Sequence, residues 1–447
     1  MNTEEYLKIL TEQIRCKKAR PAVCGEIRSH IEDQKSAFME EGLNETEAEA
    51  AAVREMGDPV DTGVSLDRVH RPRMAWGMIA LIAALSLIGF VLQYLQRMNY
   101  LEGEHLAAYT ATHLVFILIG LGLMIGVCLI DYSRIGYYAK ELFLLLLAVL
   151  VFGRFFLTQE VNGEINWMMI GSFSLNTKLM VFLFVPLYGA ILYSYRGQSR
   201  FAVIKGILWM IPCLLLTWSI PSISSTYLLF LTFSVTLSVA IYKNWFHVSR
   251  KLTLAAIWLF HLLLPLSGGL YILLFTDGYR KARLQAMISP PWDSNSYQAQ
   301  MLWKIIENSR IIGTSETMEK SWHNLPESTD FALAYVLARY GILAAVLLVA
   351  VILYLFLRFI HTSQSQRNQL GMIMGIGCSI LFTLQICFYT LENLGYPFFG
   401  TYCPFLGYGG SGMLVTYILL GILLSIYRYQ NVLPEMATIH GPAVREQ

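Results

Sequence analysis

Long apolar runs dominate the chain from residue 75 onward. The runs lie at roughly 75–96, 107–131, 136–157, 174–195, 201–219, 222–243, 252–275, 331–357, 369–390 and 410–428. Most are close to the length of about 20 apolar residues that an α-helix needs to cross a bilayer. The pattern therefore predicts an all-α fold, a polytopic membrane protein with about ten transmembrane helices.

The first 73 residues show a different pattern, in which apolar residues recur at helical spacing among many charges. Leu7 and Leu10 lie on one face of a first helix, and a second helix is predicted over about 22–41. Asn44, with Glu47 three residues later, has the spacing of a capping box and opens a third helix through Met56. We expect a small helical bundle.

Charge divides the chain at the same place. Residues 1–73 contain 11 Lys/Arg and 15 Asp/Glu, a net charge of −4, whereas the rest contains 22 and 16, a net charge of +6. Charged residues make up 14% of the chain, against about 25% in soluble domains. We expect a helical bundle over 1–73, a membrane domain over 74–430 and a tail over 431–447. Nothing in this pattern indicates a nucleic-acid partner.

The distribution of basic residues predicts the orientation. The connections on the side of the N-terminus contain Arg134, Arg196, Arg200, Lys205, Lys243, Arg250, Lys251, Arg358 and Arg367. The connection over 158–166 contains two Glu and no Lys or Arg. Because cytoplasmic loops are rich in Lys and Arg, both termini are predicted to be cytoplasmic. The long connection over 276–330 is then outside.

This long outer connection is a candidate functional segment, because such loops in compact proteins usually carry function. An amphipathic helix is predicted from about 298 to 312, and its aromatic and cationic residues suit a helix that lies along the lipid headgroups. Trp292 and Trp303 fit equally well as aromatic anchors of an ordinary solvated loop.

Two segments of the chain carry a family resemblance. Residues 324–331 read Asn-Leu-Pro-Glu-Ser-Thr-Asp-Phe, and residues 397–411 read Pro-Phe-Phe-Gly-Thr-Tyr-Cys-Pro-Phe-Leu-Gly-Tyr-Gly-Gly-Ser. They resemble the L-P-E-x-H-T-D-F and P-x-x-G-x-x-x-P-F-x-x-Y-G-G-S segments of the SEDS family (shape, elongation, division and sporulation), the peptidoglycan polymerases typified by RodA and FtsW. The resemblance covers about residues 75–430. Residues 40–48, followed by Met56-Gly-Asp-Pro59, resemble a permease prefix domain, a docking or regulatory module.

The resemblance implies a glycosyltransferase that polymerises lipid II at the outer face of the bacterial cytoplasmic membrane. It places the family's essential carboxylate on Asp330, which would accept a proton from the attacking hydroxyl. It also implies a class B penicillin-binding protein as partner, in addition to membrane lipid. From the residues alone, Asp330 is a good helix N-cap at the start of the eighth run, so capping stays open.

The remaining candidates are expected to contact the lipid-linked substrate. A cluster of cations would suit its pyrophosphate through the forked donors of Arg and the point charge of Lys. The candidate substrate-binding residues are Lys178, Arg280, Lys281, Arg283, Gln300, Glu327, Thr329, Tyr408 and Ser411. Interfacial snorkelling of the cations and a tight backbone turn at 408–411 are the plainer explanations.

The sequence contains no clear motif for a metal or another cofactor. The seven cysteines do not pair by spacing, and no Cys/His metal spacing is present. A divalent cation, Mg²⁺ or Mn²⁺, is an alternative to the cationic side chains for stabilising the leaving pyrophosphate.

Several departures from the family pattern keep two other functions open. Ser328 replaces the usual His, Ala338-Arg339 replaces an acidic pair, residues 176–179 lack the usual Glu, and Phe388 stands where Asn is common. These departures favour a catalytically inactive SEDS-like scaffold of a cell-wall complex. A lipid flippase or transporter is the third hypothesis, although no repeat is visible. Arg339 is expected to be buried in the membrane and to need a partner.

Overall fold

The computed structural model describes residues 1–98, 101–161, 164–170, 173–220, 222–276, 278, 281–282, 284–285, 289, 296–314, 331–396, 399–430 and 432. Over these residues the chain is mainly helical, with several long apolar helices. The prediction of an all-α, polytopic membrane protein is confirmed.

Four helices before the first long apolar helix form a bundle, which we call the prefix bundle. They are α1 (Thr3–Gln13), α2 (Arg20–Glu40), α3 (Glu45–Glu55) and α4 (Pro59–His70). As predicted, the Asn44 side chain caps α3 by accepting the Glu47 backbone N–H at 2.9 Å. Helix α4 was not predicted. Its signal is nevertheless in the sequence, because Asp58 is its N-cap and Pro59 occupies the first helical position, where proline is favoured.

The membrane domain follows as a series of long helices with shorter helical segments between them. They are α5 (Trp76–Arg97), α6 (Gly103–Leu129), α7 (Tyr132–Tyr137), α8 (Ala139–Phe156), α9 (Thr177–Met180), α10 (Phe184–Ser194), α11 (Phe201–Ser219), α12 (Ile223–Tyr242), α13 (Arg250–Phe275), α14 (Tyr297–Glu307), α15 (Ala332–Tyr340), α16 (Ile342–Gln364), α17 (Gln369–Asn393) and α18 (Gly410–Arg428). A short 3₁₀ turn joins α9 to α10.

Nine helices in the described part of the chain are long and apolar enough to cross a membrane, with α9 and α10 counted as one. Helix α8 has 18 residues and corresponds to the third predicted span. Its charged residues Lys140, Glu141 and Arg154 all lie near its ends, where they do not interrupt the apolar stretch. The helices therefore follow the predicted runs, except at the eighth.

The centre of the membrane domain is formed by three of these spans. In the span that contains α10, and in α17 and α18, 78% of the central window is buried, whereas only 6% of the window in α13 is buried. Because α13 is apolar, its exposed face suits contact with lipid tails.

The eighth predicted span, 331–357, is not one continuous helix. It divides into α15 and α16 at Gly341, whose φ of +93° lies in a region that favours glycine. The carbonyls of Arg310 and Ile311 accept the N–H groups of Ile342 and Leu343 at 3.0 and 3.1 Å. The break is therefore fixed by the segment that follows α14, which the apolar pattern of the run could not reveal.

Two further features of this region bear on the sequence predictions. Arg339 is exposed on the protein surface, so its expected burial in the membrane stays a prediction; its backbone carbonyl accepts a hydrogen bond from the Thr314 hydroxyl at 2.7 Å. The amphipathic helix is shorter than predicted, and the buried face of α14, with Leu302 and Ile305, packs against Phe331 and its neighbours in α15. Protein therefore covers this apolar face, which we had expected to rest on headgroups.

A small antiparallel sheet occupies the connection between α8 and α9. It contains β1 (Thr158–Val161), β2 (Glu164–Ile170) and β3 (Phe173–Asn176), in the order β1-β2-β3. Our prediction had no strands here. The sequence signal is Asn-Gly at 162–163, a dipeptide that strongly favours a two-residue hairpin turn.

Candidate functional site

Five of the ten candidate residues lie within the described part of the chain. Lys178, Lys281, Gln300, Tyr408 and Ser411 are described, whereas Arg280, Arg283, Glu327, Thr329 and Asp330 lie outside the described residues. The described segment next to Asp330 is the helix that follows it. Helix α15 begins two residues later, at Ala332.

The start of α15 is held by side chains of α17. The Leu333 backbone N–H donates to the Tyr389 hydroxyl at 3.1 Å, and the Ala334 N–H donates to Asn393 Oδ1 at 3.0 Å. Asn393 is itself oriented by a 2.9 Å bond from Nδ2 to the Tyr389 carbonyl. All four bonded groups are buried, so this junction is a fixed polar contact between two helices.

These contacts bear directly on the capping explanation for Asp330. An N-cap side chain usually accepts the N–H of the second or third helical residue. The cap position of α15 is Phe331, so these residues are Leu333 and Ala334, and both N–H groups are already bound to α17. The usual donors for a capping side chain are thus occupied by Tyr389 and Asn393.

The turn over 408–411 is built around stacked aromatic rings. The Tyr408 ring stacks on Tyr109 of α6 with centroids 4.1 Å apart, and it meets the edge of His113 at 5.2 Å. The guanidinium of Arg97 lies 5.3 Å from the Tyr109 ring centroid. Burial raises the pKa of the Tyr408 hydroxyl, and the positive charge of Arg97 opposes this shift. The hydroxyl is therefore protonated at neutral pH and can donate a hydrogen bond.

The same turn is tied to the segment that carries Lys178. The Asn176 backbone N–H donates to Ser411 Oγ at 2.8 Å, and the Lys178 N–H donates to Asn176 Oδ1 at 3.0 Å. The structure thus brings Ser411 and the backbone of Lys178 into one network. Gln300 lies elsewhere, exposed on α14, and Lys281 is partly buried.

A glutamine of α5 also holds the turn, through hydrogen bonds. Gln93 of α5 donates through Nε2 to the Leu406 carbonyl at 2.6 Å and accepts a bond from the Tyr109 hydroxyl at 3.0 Å. Beneath it, a cavity of about 10 Å³ is lined by residues that include Ser86, His113 and Tyr417. That volume suits about one water molecule, so it is not a substrate cavity.

The sequence analysis missed the residues that hold both segments. Gln93, Arg97 and His113 support the turn, and Tyr389 and Asn393 hold α15. The available signal was their polarity within or next to apolar runs, because polar residues in membrane helices are costly and usually have a role.

The described residues do not provide a metal site. No group of three or more His, Cys, Asp or Glu side chains that could hold an ion occurs in the part of the chain that the structure describes. The donors in the described residues therefore do not fit the Mg²⁺ or Mn²⁺ considered from the sequence.

Comparison with protein families places this fold among cell cycle proteins. The model of the FtsW/RodA/SpoVE family, described as "Cell cycle protein", matches residues 73–432. A probable peptidoglycan glycosyltransferase FtsW from Hydrogenovibrio crunogenus is 27% identical over 332 residues, covering 69% of this chain and 79% of the relative. The corresponding protein of Aromatoleum aromaticum is 24% identical over 402 residues, covering 84% of this chain and 94% of the relative.

Solved structures show the same fold. One comes from work on the structural coordination of polymerization and crosslinking by a peptidoglycan synthase complex; it has a TM-score of 0.64 and 18% identity, and covers 79% of this chain and 98% of its own. The rod shape determining protein RodA of Thermus thermophilus has a TM-score of 0.57 and 18% identity, and the match covers 80% of this chain and 97% of the RodA chain. At this identity the likeness concerns the fold alone.

Proposed function

The chain belongs to the FtsW/RodA/SpoVE family, and from that premise we propose that it is a peptidoglycan glycosyltransferase that polymerises lipid II at the outer face of the cytoplasmic membrane. The observation that carries the proposal is the junction of α15 with α17. Because Tyr389 and Asn393 supply the caps of α15, the neighbouring Asp330 is not needed for capping and its carboxylate can serve in catalysis.

The proposed reaction is a glycosyl transfer between two lipid-linked sugars. The 4-hydroxyl of the acceptor attacks the anomeric carbon of the donor, the new glycosidic bond forms, and the bond to the lipid pyrophosphate breaks. Asp330 takes the proton of the attacking hydroxyl as general base. The negative charge that develops on the pyrophosphate is stabilised by Arg280, Lys281 and Arg283.

The other candidates would position the substrate in this proposal. Tyr408 presents its hydroxyl group on a turn held by α5, α6 and β3, which suits a preorganised site. Ser411 is buried, and its hydroxyl accepts the Asn176 N–H and donates to the Ser174 carbonyl, so it would act by holding this turn in place. Lys178 joins this network through its backbone and can direct its ammonium group toward a phosphate. Gln300, Glu327 and Thr329 complete the proposed site on the grounds of the family resemblance.

The proposal includes a partner and an orientation. A class B penicillin-binding protein would crosslink the strands that this chain makes, and one structural neighbour comes from work on a synthase complex that couples the two activities. Both termini would be cytoplasmic. A cysteine introduced at Ser365 should stay unlabelled by an impermeant thiol reagent in intact cells, while one at Ser315 should react. Labelling in the opposite pattern would refute the orientation.

The testing experiment uses the purified protein and fluorescent lipid II, with and without the co-purified transpeptidase. Glycan strands that lengthen with time support the proposal. A folded protein that makes no strands with any transpeptidase, but still recruits one in membranes, would instead support the inactive scaffold, which the departures at Ser328 and Ala338-Arg339 favour. Movement of labelled lipid across vesicles without polymerisation would support the flippase.

A further inference from the structure

Two short basic segments of the prefix bundle lie at its junction with the membrane helices. Residues 15–20 and 68–73 contain no Asp or Glu, although the bundle as a whole is acidic. Together they hold seven of the 11 Lys and Arg of residues 1–73. We call these seven residues the basic collar: Arg15, Lys17, Lys18, Arg20, Arg68, Arg71 and Arg73.

The fold joins the two segments around one buried carboxylate. The Arg15 backbone N–H donates to Asp67 Oδ1 at 2.8 Å, and its Nε lies 3.6 Å from Asp67 Oδ2. Asp67 is 6% exposed, whereas the side chain of Arg15 is 85% exposed. The carboxylate therefore fixes the backbone of the first segment beside the second and leaves the guanidinium facing outward.

Further contacts place the collar at the ends of the membrane helices. The Lys18 ammonium forms an ion pair with the buried Asp131, the N-cap of α7, and lies 5.6 Å from the ring centroid of Tyr429, just beyond α18. The Arg73 backbone N–H donates to the Arg428 carbonyl at 3.2 Å. The collar thus lies at the depth where spans end and lipid headgroups begin.

An exposed tryptophan also indicates that the collar lies at the level of the lipid headgroups. Trp76 is the first residue of α5, three positions after Arg73, and it is 70% exposed. Tryptophan is enriched at the boundary between lipid tails and water. The exposed cations of the collar are therefore within reach of the headgroup phosphates of this leaflet.

We propose that the basic collar binds anionic phospholipid headgroups and holds the prefix bundle against the membrane surface. Clusters of four to eight Lys/Arg next to a span bind anionic lipids in this way. The positive-inside rule accounts for Arg71 and Arg73, which precede α5, but it concerns residues within about 20 positions of a span. Arg15 and Lys17 lie far upstream, so orientation does not explain them.

The charge of the rest of the bundle sets which side faces the membrane. Outside the collar, residues 1–73 contain four Lys/Arg and 15 Asp/Glu. An anionic surface attracts the collar and repels the remainder, so the bundle has one preferred orientation on the headgroups. The ion pairs of Lys18 with Asp131 and of Arg15 with Asp67 are contacts within the protein, and the lipid headgroups add negative charge beside the exposed cations of the collar.

The test compares the full-length protein in nanodiscs of phosphatidylcholine alone and of phosphatidylcholine with phosphatidylglycerol. Amide hydrogen exchange is followed over residues 15–20 and 68–73. Each cation near an anionic surface contributes about a fivefold factor in membrane affinity. We therefore expect exchange over these residues to be at least about fivefold slower with phosphatidylglycerol. This difference should disappear at about 1 M salt, where the screening length is about 3 Å.

Three variants decide the outcome. Arg15→Gln/Lys17→Gln/Arg71→Gln should lose the lipid dependence, while the charge-matched Lys8→Gln/Lys35→Gln/Arg54→Gln, outside the collar, should keep it. Lys17→Arg/Arg71→Lys should also keep it, because the charges remain. Exchange in α3 reports whether each bundle stays folded. The proposal would be overturned if the unmutated protein exchanged at the same rate in the two lipid compositions. It would also be overturned if both triple variants lost the lipid dependence to the same extent.

Discussion

The start of α15 follows one family motif and the turn before α18 belongs to the other, and the two are held by different sets of contacts. Helix α15 depends on two polar side chains of one neighbour, Tyr389 and Asn393. The turn combines hydrogen bonds with close packing. Gly89 of α5 lies against the Phe405 carbonyl, and Tyr408 stacks on Tyr109. We therefore expect the start of α15 to respond to loss of hydrogen bonds, and the turn to respond to changes in shape as well.

The largest effect is expected where the turn leaves no space. A Cβ at position 89 would lie 1.9 Å from the Phe405 carbonyl oxygen, so Gly89→Ala must displace the backbone before Tyr408. We expect the free energy of unfolding to fall by about 3 kcal/mol, as for severe overpacking. Thermal unfolding in detergent measures it. Gly77→Ala in the same helix meets nothing within 4 Å and should change little; equal effects would refute the packing argument.

The second effect tests the polar junction of α15. Tyr389→Phe or Asn393→Ala leaves a buried backbone N–H without its acceptor, which typically costs about 1–3 kcal/mol. Unfolding midpoints should fall, and lipid II polymerisation should fall further than stability accounts for, because the segment next to Asp330 shifts. Tyr354→Phe, which removes an exposed hydroxyl beside Arg358, is the matched control and should change neither. Unaltered activity in folded Asn393→Ala would show that the junction does not position the site.

The third and smallest effect concerns the stacked rings. Stacked aromatic pairs contribute about 0.5–1.5 kcal/mol beyond area burial. A double-mutant cycle of Tyr109→Leu and Tyr408→Leu should give a coupling energy of about 1 kcal/mol in unfolding measurements. Tyr109→Leu combined with Phe152→Leu, whose ring instead stacks on Phe156, should be additive. A coupling near zero for the first pair would mean that the stack does not hold the turn.

The sequence predicted what depends on local pattern and missed what depends on distant contacts. Apolar runs located the spans because hydrophobic length is a property of consecutive residues. The break at Gly341 could not be found this way, since it is completed by carbonyls of Arg310 and Ile311 about 30 positions earlier. The caps of α15 were missed for the same reason: Tyr389 and Asn393 follow it by more than 50 positions.

The candidate site shows the same division. Tyr408 and Ser411 were found from a motif, and the structure joins Ser411 to the segment of Lys178. Gln93, Arg97 and His113 were missed because they belong to no motif, although each is a polar residue within or near an apolar run. The contacts of these residues form only when the helices pack together, so their roles could not be predicted from the sequence.

The most direct test of the central claim is Asp330→Asn, assayed for lipid II polymerisation beside thermal stability. Asparagine caps helices nearly as well as aspartate, so the substitution removes the base while preserving any cap. A general base contributes about 10²–10⁴ in rate, far beyond the effect of a cap. We predict a folded protein with polymerisation reduced at least about 100-fold. An Asp330→Asn protein that polymerises lipid II at a near-normal rate would contradict the account.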